Sequence, residues 1–284
     1  MAVPTLPRSW INPAYLGAVA LGCAVLVAAG VYAPRPSLLA ITVAAFGCEF
    51  VDSAFGMGFG TILTPLLLVA GFSPTEAVST VLLSELLTGF GAALFHAKDD
   101  NVSFARGSTH LSAGILLSIG GVLGVFIGAP VFFKASARIL TLFIGAIIVL
   151  SGVAILYCLD HSFRYRRSGV FALSTLAAFN KTLSGGGYGP LMTSGQLLVG
   201  VEAKAAAAIT SLSEGVTCLT ASAIFVASHG RYNWNLLIAV FTGALLAVPF
   251  ATNSVRRLNE RTIRKAIGVV TLLLGCWTVL RIVR

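Results

Sequence analysis

The side chains in this sequence that could do chemistry are a few ionisable groups that interrupt long apolar stretches: Glu49, Asp52, Glu85, Lys181 and Glu214. If those stretches cross a bilayer, each ionisable group costs at least about 2.5 kcal/mol to bury, which makes it a candidate functional residue. A carboxyl group removed from water favours its neutral form, so it can bind and release a proton near neutral pH. Proton binding is therefore the chemistry that these carboxyl groups suggest.

Glu85 and Glu214 are the best of these candidates because they recur in the same local setting. Each follows a serine, and each has a threonine three residues later that would lie beside it on a helix face. We predict that Glu85, Glu214 and Asp52 form a proton-coupling group. The alternative is that each glutamate is architectural and hydrogen-bonds a neighbouring helix.

Lys181 is the one cation of the sequence that falls well inside an apolar segment. It could bind an anionic substrate, with Asn180 beside it as a hydrogen-bond donor. It could equally be neutralised by Asp52, since a buried cation normally needs a partner.

Two glycine-rich motifs, 56–60 and 185–190, break the apolar segments 38–70 and 169–199. A continuous helix over the first segment would be about 48 Å long, which is too long for a hydrocarbon core of about 30 Å and too short for two crossings. A helix that begins just after each motif would direct its free N–H groups at an anion. The alternative is that the glycines only permit close helix packing. The predicted substrate-binding residues are Gly56, Gly58, Gly60, Thr61, Asn180, Lys181, Gly185, Gly186, Gly187 and Gly189.

The composition indicates the elements that must hold these residues. Hydrophobic residues make up 57% of the 284 residues and charged residues only 10%, against roughly a quarter charged in soluble domains. We predict an all-α polytopic membrane protein. The net charge of +9 lies mainly in short loops, where it indicates contact with anionic lipid and not with nucleic acid. The predicted apolar segments are 14–33, 38–70, 76–97, 109–132, 139–157, 169–199, 205–228, 235–251 and 266–283.

The chain contains an internal duplication. A shift of 129 positions aligns residues 50–97 with 179–226 without a gap and gives 13 identities in 48, including both glycine motifs and both glutamates. Two membrane halves with glycine-broken segments at matching positions are typical of transporters. The predicted organisation is an N-terminal tail with an extra transmembrane helix (1–37), a first repeat (38–157), a basic connecting loop (158–168) and a second repeat (169–284).

Loop charges bear on how the broken segments run. If each segment crosses the membrane once, the loop Lys and Arg residues divide evenly between the two faces; if each is re-entrant, they concentrate on one face. We therefore predict re-entrant segments. Each repeat then has three full crossings, so the two repeats are inverted relative to each other, and the N-terminus is cytoplasmic.

Few other residues suggest chemistry. The five cysteines have no metal or redox spacing, and His96, His110, His161 and His229 lie near segment ends, where we expect them to be interfacial. The sequence has no nucleotide-binding or catalytic motif. We therefore predict no enzyme activity, no cofactor, no metal and no ATP site.

At its two glycine motifs the sequence resembles the sulfite exporter TauE/SafE family, also called the toluene sulfonate uptake permease family. The resemblance covers about residues 38–283 and rests on the first motif followed by Pro65, on the second followed by Pro190, and on the Ala/Ser/Thr-rich helices after them. It implies a secondary transporter of the cytoplasmic membrane that moves small sulfur-containing anions such as sulfite or sulfonates.

Together these patterns predict a proton-coupled anion carrier in which one repeat rocks against the other around a site between the glycine motifs. Two alternatives remain. A passive anion channel could use the same helix ends, and a membrane protein with a non-transport function would need a reactive group or docking domain that the short loops do not offer. The sequence indicates neither the anion nor the oligomeric state.

Overall fold

The computed structural model describes residues 36–157, 167–198, 201–229 and 232–254, together with isolated positions between 265 and 280. Across these residues the regular structure is entirely helical, which confirms the predicted all-α class. The extra N-terminal helix, the basic loop and the last crossing were predicted in stretches that lie almost wholly outside the described residues. The helices are α1 (Pro36–Phe55), α2 (Phe59–Val69), α3 (Pro74–Lys98), α4 (Thr109–Lys134), α5 (Ala137–Tyr157), α6 (Arg167–Ser184), α7 (Tyr188–Leu198), α8 (Ala203–His229) and α9 (Trp234–Ser254).

Five of these helices, α1, α3, α4, α8 and α9, are long and apolar enough to cross a membrane. Their polar and apolar faces are arranged as lipid requires, with apolar side chains outside. On α4, Ile119 and Phe126 are more than half exposed, whereas Gly120, Gly124 and Gly128 are buried against α6. Because glycine lets two backbones approach closely, this face of α4 packs without large side chains.

Equivalent helices in the two halves of the chain make equivalent packing contacts. In each half the first helix packs against the fourth helix of the other half, so α1 lies on α9 and α6 lies on α4. The third helices, α3 and α8, pack against each other. The contacts between the two halves are therefore reciprocal. The inversion of the halves across a membrane stays a prediction.

Both long apolar segments are broken at the predicted glycines. The chain adopts a positive φ of 68° at Gly56 and 72° at Gly185, a conformation that favours glycine over residues with a Cβ. The short helices that follow, α2 and α7, begin and end at positions 129 residues apart, which is the shift of the internal duplication.

The second broken segment turns back on itself. Leu173, near the beginning of α6, lies 3.5 Å from the position of a Cβ on Gly195, near the end of α7. Val170 and Gln196, from the two ends of the same segment, line one cavity. Helices α6 and α7 therefore form a hairpin, while the re-entrant path through a membrane stays a prediction.

Gly124→Ala is expected to lower the free energy of unfolding by about 1–3 kcal/mol, because overpacking a close contact costs that much. The added Cβ would overlap the Thr175 backbone carbonyl on α6. The matched control is Gly47→Ala on α1, where nothing lies within 4 Å of the added Cβ. Thermal scans of the purified protein in detergent check both variants. Equal melting temperatures for the two would contradict the packing described here.

Candidate functional site

The two glycine motifs cross backbone against backbone at the centre of the bundle. A Cβ on Gly60 would overlap the carbonyl of Gly185, and a Cβ on Gly189 would overlap that of Gly56. Glycine is therefore required at these positions because two chain segments approach closely. This observation agrees with the alternative in which the glycines permit close packing. A direct contact between these glycines and a substrate stays a prediction.

Matching threonines lie against this crossing. Thr193 on α7 donates a hydrogen bond of 2.7 Å from its hydroxyl to the carbonyl of Gly56, and its hydroxyl also lies 2.9 Å from that of Thr210 on α8. Thr64, at the matching position on α2, lies beside Gly185, where its hydroxyl would be 2.6 Å from an added Cβ. Each motif is thus held by the short helix of the other half.

Lys181 on α6 is clamped between the two repeat-related glutamates. Its Nζ lies 2.5 Å from Oε2 of Glu85 on α3 and 2.7 Å from Oε1 of Glu214 on α8. All three side chains are at most 4% exposed. The proposed pairing of Lys181 with Asp52 is replaced by this double ion pair, which joins three helices from both halves.

Asp52 instead covers the beginning of α2. Its Oδ1 accepts a hydrogen bond of 3.2 Å from the backbone N–H of Phe59, and the N–H of Gly60 faces the carboxyl group of Glu85. The positive end of α2 therefore already meets two carboxyl groups of its own chain.

The carboxyl groups form one cluster. Asp52, Glu85 and Glu214 each offer an oxygen within 4.8 Å of the others, a spacing suited to a cation. The Lys181 ammonium already supplies one positive charge between two of them. Three carboxylates and one ammonium carry a formal charge of −2 when all four are ionised, so protons or another cation would lower the energy of the buried cluster.

The beginning of α7 has a different environment. The N–H of Gly187 donates to the Thr61 hydroxyl at 3.3 Å, and the N–H of Gly186 donates to the Ser184 hydroxyl at 3.2 Å. The Asn180 amide is packed against Gly187. Among the described residues, the hydrogen-bond partners of these N–H groups are neutral oxygens, whereas the beginning of α2 faces carboxyl groups. The beginning of α7 would therefore repel an anion less than the beginning of α2.

His96, for which an interfacial depth in the membrane stays a prediction, is packed inside the protein. Its ring is fully buried, with Nε2 2.7 Å from the carbonyl of Ser53 and Nδ1 3.1 Å from the amide nitrogen of Asn101. These contacts tie the end of α3 to α1, and only the tertiary packing reveals them. Nearby, Glu49 accepts hydrogen bonds from Ser53 and Thr88, at 2.6 and 3.1 Å, and joins the buried polar interior.

Comparison with known proteins identifies a matching family and several similar proteins. A family model described as "Sulfite exporter TauE/SafE" matches residues 40–278. Three proteins of Bacillus subtilis (strain 168) are similar: the "Probable membrane transporter protein YtnM" (25% identity; 82% of this chain and 79% of the relative), YunE (23%; 80% and 91%) and YjnA (23%; 78% and 91%), the last two under the same description.

Lys181→Met is expected to lower the free energy of unfolding by about 3–5 kcal/mol, because it leaves two buried carboxyl groups facing each other without the ammonium. Thermal scans in detergent check this expectation. The control is the triple variant Lys181→Met/Glu85→Gln/Glu214→Gln, which removes all three charges and should recover most of the loss. A single variant as stable as the unmodified protein would contradict the clamp.

Proposed function

The chain belongs to the sulfite exporter TauE/SafE family of membrane transporters, and on that premise we propose that it carries small sulfur-containing anions, such as sulfite or sulfonates, across the cytoplasmic membrane with protons as the coupling ion. The family description supports the substrate class. The description of the relatives as probable membrane transporter proteins supports transport in preference to catalysis.

The observation that carries the coupling is the buried cluster around Lys181. In its ionised form the cluster repels an anion, because its carboxylates outnumber its ammonium. A proton on Glu85 or Glu214 lowers the negative charge and weakens one of the two ion pairs of Lys181. The ammonium then becomes available to an anion. Proton binding and anion binding therefore favour each other, and by linkage the effect is reciprocal.

The anion in this proposal binds beside Lys181 at the beginning of α7. Asn180 and Ser184 lie on the last turn of α6, within four residues of Lys181, and Thr61 comes from the other half. Their hydroxyl and amide groups supply hydrogen-bond donors, while the start of α7 supplies the favourable end of a helix dipole. In this placement the anion contacts the beginning of α7, while Asp52 and Glu85 continue to face the beginning of α2.

The proposed topology is two inverted repeats with re-entrant broken segments and a cytoplasmic N-terminus. Asp100–Thr109 contributes residues to the same cavity as Val201–Ala205. In a topology where each broken segment crosses once, those two loops lie on opposite faces of the membrane. Their shared cavity therefore favours the re-entrant arrangement, in which both lie on the basic face.

Purified protein in proteoliposomes is expected to take up radiolabelled sulfite saturably, and faster when a pH gradient drives protons in the same direction. Glu85→Gln/Glu214→Gln is expected to lose the response to the gradient, because neither glutamine side chain can exchange a proton. The measurement is the initial rate of uptake with and without the gradient.

The matched control is Glu260→Gln, which removes a carboxylate from the predicted loop between the apolar segments 235–251 and 266–283 and should leave the response intact. Flux that neither saturates nor responds to the gradient would favour a passive anion channel. Absence of flux for sulfite and for sulfonates alike would contradict the proposed substrate class.

A further inference from the structure

A cavity of about 1160 Å³ with both apolar and polar lining residues opens at one end of the bundle. Its walls are the loop after α3, the beginning of α4, the end of α7 and the beginning of α8. This volume is ample for a small hydrated anion. Polar side chains from all four elements line it: Asp100, Asn101, Ser103, His110, Gln196 and Lys204.

At the repeat-related place at the opposite end, two elements are joined by a hydrogen bond. There the loop after α8 meets the beginning of α3, and Asn233 donates a hydrogen bond of 3.0 Å from its amide to Oε1 of Glu76. The other carboxyl oxygen of Glu76 accepts from the N–H and the hydroxyl of Ser73. Oδ1 of Asn233 in turn accepts from the N–H of Leu236 in the first turn of α9. The beginnings of α3 and α9 are therefore joined, whereas the equivalent elements, the beginnings of α8 and α4, line the open cavity.

A row of polar side chains leads inward from the open cavity. Gln196 is only 6% exposed and donates from its amide to the Thr210 hydroxyl at 2.8 Å. Thr210 lies against Thr193, which donates to the carbonyl of Gly56 at the glycine crossing. The side-chain oxygen of Gln196 is buried without a hydrogen-bond partner, an acceptor that a permeating water or protonated anion would satisfy.

At the opposite end, the positions that match Gln196 and Thr210 are apolar. Leu67 and Val81 occupy the positions that match Gln196 and Thr210, and both are fully buried. Behind them the hydroxyl of Thr64 is buried without a partner. An apolar constriction of this kind excludes water and ions.

We propose that the cavity and the Glu76–Asn233 contact are the open and closed mouths of one transport pathway, with Gln196 and Leu67 as the repeat-related side chains behind them. This inference rests on the proposed transport function. In the alternate state the Glu76–Asn233 contact breaks and the cavity closes, so that the buried cluster faces the other side.

The test is cysteine accessibility in a background from which the native cysteines have been removed. Gln196→Cys is expected to react with a small membrane-impermeant thiol reagent about tenfold or more faster than its matched control Leu67→Cys, because Leu67 is exposed only in a minor state. Adding Asn233→Ala should accelerate the reaction at Leu67→Cys and leave it unchanged or slower at Gln196→Cys. Equal rates at both positions, or no effect of Asn233→Ala, would overturn the assignment of the mouths.

A second experiment cross-links the two side chains at the proposed closed mouth. Joining Glu76→Cys to Asn233→Cys with a short, reducible bifunctional thiol reagent is expected to abolish sulfite flux, and reduction should restore it. The same reagent on Glu76→Cys alone should have no effect. Unchanged flux in the linked protein would overturn the proposal while leaving transport intact. If the unlinked protein carries no sulfite, the transport function fails, and the accessibility pattern still decides the two mouths.

Discussion

A lysine ammonium held between two buried carboxyl groups is the interaction on which the arrangement of this protein depends. Lys181 contacts Glu85 and Glu214 where all three side chains are almost fully buried, so a charge that lost its partners would be strongly destabilising. The contact fixes α6 between α3 and α8, and so holds the first half of the chain to the second. Because the cluster has more acidic than basic groups, the proposed function assigns to the same interaction a response to protons as well.

The crossing of the glycine motifs lets the cluster form. Each motif must pass within backbone contact of the other, which only residues without a Cβ allow at Gly60 and Gly189. The crossing places the ends of α1 and α6 beside the beginnings of α2 and α7 at the centre of the bundle. The duplicated halves then differ where chemistry requires it: the position that holds Asp52 in one half holds Lys181 in the other. A symmetric scaffold thereby carries an asymmetric site.

Much of this arrangement could be predicted from the sequence because it depends on local patterns. The lengths of the apolar segments predicted the helices, and the positions of the glycine motifs predicted the two breaks at Gly56 and Gly185. The partners of Lys181 could not be found in this way, since Glu85 lies 96 residues away and no periodicity connects them. The duplication did contain a usable signal: Glu85 and Glu214 occupy matching positions on α3 and α8, and because these helices pack against each other, one residue can contact both. The burial of His96 and the role of Gln196 depend on tertiary contacts alone.

The central claim is that proton binding to the Lys181 cluster and anion binding are coupled, and calorimetry on the purified protein tests it most directly. Sulfite binding is measured in several buffers that differ in ionisation enthalpy, and the dependence of the observed heat on that enthalpy gives the number of protons exchanged per anion, after correction for the protonation of sulfite itself. We expect net proton uptake by the protein, and loss of this uptake in Glu85→Gln/Glu214→Gln. Binding without proton uptake, or the same uptake in the variant, would contradict it.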